Sequence, residues 1–253
     1  MNWIGMWTLI KREVGRFFSV YRQTVLPGLI TTTLYILIFG FTLEKRISEI
    51  HGIPYTLFIL PGLMMMNTIT NASSNSSSSI LQMKLLQQLP DILTAPLSSF
   101  EISMAYIIGG TVRGFVNGVL VLILGVLLVG MPVSNLFLSI CFLLIVSWSF
   151  SSMGLFLGQM ADSWDELAMM QNFFLTPLSF LGGIFYSIQM LPEWAQTLSY
   201  INPIYYMING IRYTILGVSD SPPLVSFVMA LGMTGLFTFL AVMLMKSGKK
   251  IKS

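Results

Sequence analysis

Between Gly114 and Ala161 the chain runs for 48 residues without a charged side chain. As one straight α-helix this run would be about 72 Å long, more than twice the roughly 30 Å of hydrocarbon in a bilayer. Gly130, Met131 and Pro132 interrupt the run near its middle, where glycine and proline favour a turn. The sequence therefore predicts two membrane-spanning helices that fold back on each other, over residues 104–129 and 135–160.

The composition agrees with a chain that lies in lipid. Only 9% of the 253 residues are charged and 55% are hydrophobic, whereas an ordinary soluble domain carries about 25% charged residues. Further uncharged runs predict four more spans, over residues 25–43, 55–76, 167–188 and 224–245. We therefore predict an all-α membrane protein with six transmembrane helices in one domain, residues 24–246, between an N-terminal segment, 1–23, and a basic tail, 247–253.

The lysines and arginines that flank the spans predict the orientation of the chain. With six crossings both termini lie on one side, and nine of the thirteen basic residues lie on that side. Because cytoplasmic loops of membrane proteins are enriched in lysine and arginine, we predict that both termini are cytoplasmic. The first twenty residues carry four charges within residues 11–16 and lack the apolar core of a cleavable signal peptide.

Residues 3–21 have the pattern of an amphipathic helix. Apolar side chains recur at spacings of three and four, while most of the charges, including Arg12 and Glu13, fall elsewhere on the helix. The pattern predicts a helix in the cytoplasmic membrane interface, and a helix that packs on the bundle is the alternative. The apolar positions are Trp3, Trp7, Ile10, Val14, Phe17 and Tyr21.

Two stretches between the fifth and sixth predicted spans are too short to cross a bilayer. They run from Leu191 to about Ser199 and from Asn202 to Gly217. Proline suits the first turn of a helix, asparagine its N-cap and glycine its end. The sequence predicts two short helices that are interfacial or re-entrant from the outer side. Their candidate functional residues are Pro192, Trp194, Asn202, Pro203 and Arg212.

The predicted cytoplasmic loop between the second and third spans combines an amphipathic segment with prolines. After it, Ser98 and Glu101 form a capping-box pattern that starts the third span. The segment is interpreted either as a docking lever for a soluble partner or as a loop whose leucines pack on the bundle. The candidate residues are Lys84, Leu85, Leu89, Asp91, Ile92 and Pro96.

Arg113 is the one charged residue inside a predicted span. A guanidinium at that depth is costly unless it reaches water, headgroups or a partner. Gly110, Gly114 and Gly118 repeat every fourth residue on the same helix, which allows a neighbouring backbone to approach, and Asn117 lies one turn from Arg113. Two interpretations are open: a role at a substrate path or helix interface, and snorkelling toward the cytoplasm.

Several classes of function are excluded by what the sequence lacks. One cysteine, Cys141, and one histidine, His51, exclude a disulfide framework and a metal site rich in these residues. The chain has no P-loop for ATP, and none of its ten carboxylates lies in a predicted span, where ion-coupled carriers commonly place them. We therefore predict a non-enzymatic transport subunit that has no metal, cofactor or nucleic-acid partner and is driven by a separate chain. A self-sufficient secondary carrier or channel is the alternative.

The carboxy-terminal third resembles the signature region of ABC type-2 permeases, the membrane subunits of bacterial ABC exporters. The resemblance is carried by LTPLSFLGGIFY (175–186), LPEW (191–194), NPIYY (202–206) and GIRY (210–213). With ILPGL (59–63), LTAPL (93–97), the amphipathic start and the six-span order, it extends over almost the whole chain. The serine-rich stretch 71–79 departs from a plain hydrophobic pattern, which indicates either a hydrated dimer seam or only an unusual helix.

The resemblance implies a permease of the bacterial cytoplasmic (inner) membrane that forms a homodimer and binds two copies of a separate ATPase, on which ATP and Mg reside. Arg12, Glu13 and the segment 84–96 would face the ATPase, and the two outer half-helices would cap the exit route. Closure of the ATPase would rock the two copies and open a path along a seam lined by spans one, two and five. Compatible cargoes are lipids, glycolipids or polysaccharides, and hydrophobic drug-like molecules, moved out of the cytoplasm.

Overall fold

The computed structural model describes residues 2–40, 42 and 49–248, and within these ranges the fold is almost entirely α-helical, as predicted. A hairpin of two short strands, β1 (Glu49–Ile50) and β2 (Ile53–Pro54), precedes the third helix, and a 3-10 turn, Ile188–Met190, precedes the eighth. The helices are α1 (Trp3–Ser19), α2 (Tyr21–Tyr35, continued by a π-helical turn, Ile36–Gly40), α3 (Tyr55–Leu85), α4 (Leu89–Thr94), α5 (Ser99–Val129), α6 (Leu136–Met160), α7 (Trp164–Leu181), α8 (Glu193–Ile201), α9 (Pro203–Leu216) and α10 (Pro223–Ser247). The end of the predicted first span, Lys45, Arg46 and most of the basic tail lie outside the described residues.

Within the described residues, four helices are long and apolar enough to cross a membrane: Tyr21–Phe39, α5, α6 and α10. The predicted spans 55–76 and 167–188 fall on α3 and α7, which are helical but more polar. In α3 the polarity comes from the stretch 71–79, and in α7 from the acidic first turn. Helix α7 also ends at Leu181, short of the predicted end at 188, because Gly183 takes a left-handed φ of 79°.

Local sequence signals determine where several helices begin and end. At the start of α5, Ser98 Oγ accepts a hydrogen bond from Glu101 N at 3.3 Å, and the Glu101 carboxylate accepts one from Ser98 N at 2.7 Å, which completes the capping box. Helix α9 starts with the N-cap Asn202 and with Pro203 in its first turn, and ends at the left-handed Gly217. Pro192 is the N-cap of α8 and not a first-turn residue.

Helix α3 packs between α5 and α6, and the closest approach is made by its serine-rich stretch. Ser76 Oγ lies 2.6 Å from Ser151 Oγ of α6, and a Cβ added at Gly110 of α5 would overlap both hydroxyls. A Cβ at Gly154 of α6 would overlap the backbone of Ser73. Small residues on all three helices therefore let the backbones meet. Much of the serine-rich stretch thus lies inside one copy of the chain, and its buried hydroxyls are not available to a dimer seam.

Helix α1 packs on the bundle, and its apolar residues do not all share one environment. Ile10 and Phe17 are buried, whereas Trp3 and Trp7 are more than half exposed. The buried face also contains Glu13, which the spacing placed on a polar face. The inner face of α1 therefore packs on the bundle, which was the alternative interpretation. The exposed tryptophans remain free to meet the membrane interface.

The two short helices before α10 differ in burial. Helix α9 buries ten of its fourteen residues between α3, α6 and α10. Helix α8 buries only Ala195 and Ser199, and Trp194 is 70% exposed. Of these two helices, α8 is therefore a surface helix and α9 is part of the core.

Candidate functional site

A cavity of about 300 Å³ opens between α2 and α3, and its α2 wall belongs to the helix Tyr21–Phe39, which is long and apolar enough to cross a membrane. Its apolar walls come from Pro27, Tyr35, Leu63 and Met66. Amide and hydroxyl side chains and one guanidinium supply the rest of the lining, which is unusual for a site among apolar helices. The polar lining comprises Gln23, Thr24, Thr31, Thr32, Asn67, Thr70, Asn71 and Arg113.

The polar lining continues along α3 to a second, smaller cavity. Asn67, Thr70, Asn71 and Ser74 recur at spacings of three and four and therefore share one face of α3. Thr70 lines both cavities, and the second, of about 80 Å³, lies between α3 and α7. Helix α7 contributes Gln171, Asn172 and Thr176 to it. We call this continuous surface of α2, α3 and α7 the polar strip.

Arg113 reaches the polar strip from α5. Its Nε donates a hydrogen bond to Asn71 Oδ1 at 3.1 Å, so the side chain extends across to α3. Asn117 Nδ2 donates to the Arg113 carbonyl at 2.9 Å and so binds the backbone of the same helix. Gly114 lies against Ala72, and Gly118 against Thr68 and Leu143. The structure thus brings Arg113 to the wall of the cavity, while the glycines of α5 pack at helix interfaces.

A buried charge cluster joins α1 to α3 and α5. The Glu13 carboxylate, 1% exposed, lies 2.9 Å from Arg12 Nη2 and accepts a hydrogen bond from Ser79 Oγ at 2.6 Å. Arg12 also donates to the Tyr106 hydroxyl at 3.0 Å, and Arg16 donates to the Asn75 carbonyl at 2.8 Å. Burial alone would lower the pKa of Arg12, but the Tyr106 hydroxyl and the Glu13 carboxylate favour the charged form and leave the pKa above its ordinary value. This group, which we call the Glu13 cluster, holds α1 against the serine-rich stretch of α3.

The candidate ATPase-facing residues separate into buried and exposed groups. Glu13 and Leu89 are 1% exposed and cannot meet a soluble partner directly. Ile92 is half-buried beside Leu89. The exposed members are Leu85, Asp91 and Pro96, together with the partly exposed Arg12.

Lys84 connects the end of α3 to the turn between α6 and α7. Its Nζ lies 2.5 Å from Asp162 Oδ1 and donates to the Ala161 carbonyl at 3.1 Å, and its side chain is 8% exposed. The loop after α3 therefore shares one end of the bundle with α1, the start of α5 and the end of α6. We call this end of the bundle the Lys84 end.

At the opposite end of the bundle, contacts of Asp220 join three loops, one of which is its own. Its Oδ1 lies 2.7 Å from His51 Nε2 and accepts a hydrogen bond from Ser187 Oγ at 2.8 Å, and its Oδ2 lies 3.9 Å from Arg212 Nη1. Arg212 is buried, donates to the Gly183 carbonyl at 2.8 Å and stacks on Phe58 at 3.9 Å. The loops that precede α3, α8 and α10 therefore meet at Asp220, and we call this part of the bundle the Asp220 end.

No sequence motif predicted the Asp220 cluster, and of its members only Arg212 was a candidate residue. The residues come together only in the fold, since His51 and Asp220 are 169 positions apart. The group also differs from a hydrolase triad. Ser187 and Asp220 both lie on Nε2 of His51, whereas a triad needs its acid and its nucleophile on opposite ring nitrogens.

We expect Asp220→Asn to lower the free energy of unfolding by about 1–3 kcal/mol, because it removes the anion from buried partners. A thermal melt in detergent measures the change. The matched control is Asp91→Asn, which removes a carboxylate from an exposed position and is expected to leave the melting temperature unchanged. Equal melting temperatures for both variants would show that the Asp220 cluster has no stabilising role.

The part of the chain that the structure describes contains no group of three or more histidine, cysteine, aspartate or glutamate side chains that could hold a metal ion. The polar groups described above line cavities and join helices.

Comparison with known proteins identifies the family. A family model described as "ABC-2 type transporter" matches residues 5–216. The chain belongs to the ABC-2 type transporter family. It is 36% identical to the inner membrane transport permease YadH of Escherichia coli strain K12, over all of this chain and 99% of that protein. It is also 26% identical to a putative transport permease, ycf38, of Cyanophora paradoxa, over 82% of this chain and 73% of that protein.

A more distant relative is nodulation protein J of Sinorhizobium fredii, with 20% identity over 85% of this chain and 81% of that protein. Together the matches make the chain a multi-pass membrane permease of the ABC-2 type, located in the inner membrane. As an ABC-2 permease it is the membrane subunit of an ABC transporter, in a family of non-catalytic transport permeases. Membership also implies association with an ABC ATPase subunit.

Proposed function

We propose that this ABC-2 permease is the membrane half of an ATP-driven exporter that acts as a homodimer with two copies of its ATPase. The observation that carries the proposal is the polar strip. It lies on α2, α3 and α7, the helices of the first, second and fifth predicted spans, where a seam between two copies is expected. The cargo is a lipidic, glycolipid, polysaccharide or hydrophobic drug-like molecule, because the strip pairs polar side chains with apolar walls.

The Lys84 end supplies the contact with the ATPase, and both termini are cytoplasmic in this proposal. Helix α4 follows α3 after a short turn, so a push on the exposed Asp91 reaches the helix that lines both cavities. The Glu13 cluster joins α1 to α3. Motion of the exposed face of α1 is therefore carried to α3. Closure of the ATPase dimer would then rock α3 and open the polar strip outward.

Transport in inside-out membrane vesicles tests the proposal. The permease is co-expressed with its ABC ATPase, and ATP-dependent accumulation of a fluorescent hydrophobic dye inside the vesicles is measured. We expect accumulation that requires both chains and ATP. Recovery of no P-loop ATPase in a pull-down, together with transport that persists after ATP is depleted, would exclude an ATP-driven exporter.

We expect Asp91→Lys to abolish most of the stimulation of the ATPase by the permease, because it reverses a charge on the exposed segment at the Lys84 end. Steady-state ATP hydrolysis by the reconstituted complex measures the effect. Glu49→Lys makes the same change at another exposed position, in β1, and is the control. If both variants retain full stimulation, with melting temperatures equal to that of the parent, α4 is not the contact site for the ATPase.

A further inference from the structure

Arg113 brings a positive charge to the cavity, and the residues that the structure describes supply no anion to balance it. Within residues 2–40, 42 and 49–248, no carboxylate lies within ion-pair distance of its guanidinium. Only Nε has a hydrogen-bond partner, Asn71 Oδ1, which leaves Nη1 and Nη2 without a protein acceptor in the same part of the chain. The nearby charge that acts on Arg113 is another cation, Arg16, which is itself bound to Glu13 and Asn75.

An unpaired cation at this depth is costly, and an anion that enters the cavity offsets the cost. The two free amino groups of a guanidinium match the two oxygens of a carboxylate or phosphate, which they bind through parallel hydrogen bonds. No aspartate or glutamate lines the cavity to repel such a group. Asn67, Thr70 and Gln23 supply neutral donors around it.

We propose that Arg113 is an anion-binding residue and that the cavity takes an amphiphile with a phosphate or carboxylate head. The head lies on Nη1 and Nη2, and the alkyl part lies along Leu63, Met66 and Tyr35. This inference rests on the proposed function for its role in transport and narrows the cargo to an anionic class. Binding itself requires no ATPase.

The test uses the purified full chain, without ATPase, in dodecyl maltoside micelles. Three probes are titrated while the thermal unfolding midpoint is followed: dodecyl phosphate, dodecanol and inorganic phosphate. We expect dodecyl phosphate to raise the midpoint saturably and dodecanol to have no such effect. A matching rise with inorganic phosphate assigns the site to a free anion; a rise with dodecyl phosphate alone assigns it to an amphiphile.

We expect Arg113→Gln to weaken binding of dodecyl phosphate by about tenfold or more, since a charged bidentate contact is lost. Arg113→Lys should retain part of the affinity. Lys246→Gln removes one charge from an exposed position on α10 and should bind normally. If Arg113→Gln does not fold, Asn71→Ala is expected to weaken binding in the same assay, because it removes the acceptor that holds the Arg113 side chain at the cavity wall.

Unchanged affinity in Arg113→Gln, or in Asn71→Ala where that variant is used, overturns the proposal. So does equal binding of dodecanol and dodecyl phosphate. Because no ATP is present, failure here leaves ATP-driven export intact, and failure of the vesicle assay leaves this binding site intact.

Discussion

Gly154→Ala is expected to lower the free energy of unfolding by about 3 kcal/mol, the upper part of the usual range for overpacking a tight interface. The added methyl would overlap the carbonyl of Ser73, with the Ser73 Cα and C at 2.7 and 2.8 Å. These are backbone atoms of a helix in the centre of the bundle and cannot move aside as a flexible side chain can. Thermal or denaturant unfolding in detergent measures the loss.

Gly235→Ala is the matched control, because it makes the same change in α10 where the added methyl has no neighbour within 4 Å beyond the backbone of its own helix. It is expected to leave stability unchanged or slightly raised, since alanine favours a helix more than glycine does. Equal stability of the two alanine variants would mean that α3 and α6 do not meet through their small residues.

Glu13→Gln is expected to destabilise the chain by about 3 kcal/mol or more, because it removes the carboxylate that Arg12 and Arg16 share. Arg16 would keep its bonds to Asn75, but neither arginine would retain an anion within the cluster. Helix α1 should loosen from α3, so its amide hydrogens should exchange faster. Thermal melting and hydrogen exchange measured by mass spectrometry report the two effects.

Glu193→Gln tests whether the effect is specific to the cluster. Glu193 is exposed in the first turn of α8, where loss of its charge is expected to cost less than about 1 kcal/mol. If Glu13→Gln melts at the temperature of Glu193→Gln and α1 exchanges at the parental rate, the Glu13 cluster does not hold α1 in place.

Features that depend on neighbouring residues were predictable. The capping box of Ser98 and Glu101, the N-cap Asn202 and the stops at Gly130 and Gly217 act within one helical turn. The turn at Gly130 follows from the length of an uncharged run that no single span can hold. These signals require no knowledge of what packs against each helix.

The two faces of α3 show why other features were not predictable. One face meets the glycines of α5 and α6, and the other forms the polar strip, but serine and asparagine occur on both. Which face a serine occupies depends on the arrangement of helices that are distant in sequence. The same holds for Glu13, whose partner Ser79 is 66 positions away, and for the Asp220 cluster.

Cysteine accessibility along the polar strip tests the transport route most directly. In a background with Cys141→Ser, Thr70→Cys places a thiol where both cavities meet, and Gly235→Cys on α10 is the control. A membrane-impermeant maleimide is added from the outside to the permease reconstituted with its ATPase, without nucleotide and after trapping with ATP and vanadate. We expect several-fold faster labelling of Thr70→Cys in the trapped state and no change at Gly235→Cys. Labelling of Thr70→Cys at the same rate in both states would contradict an ATP-gated path along the polar strip.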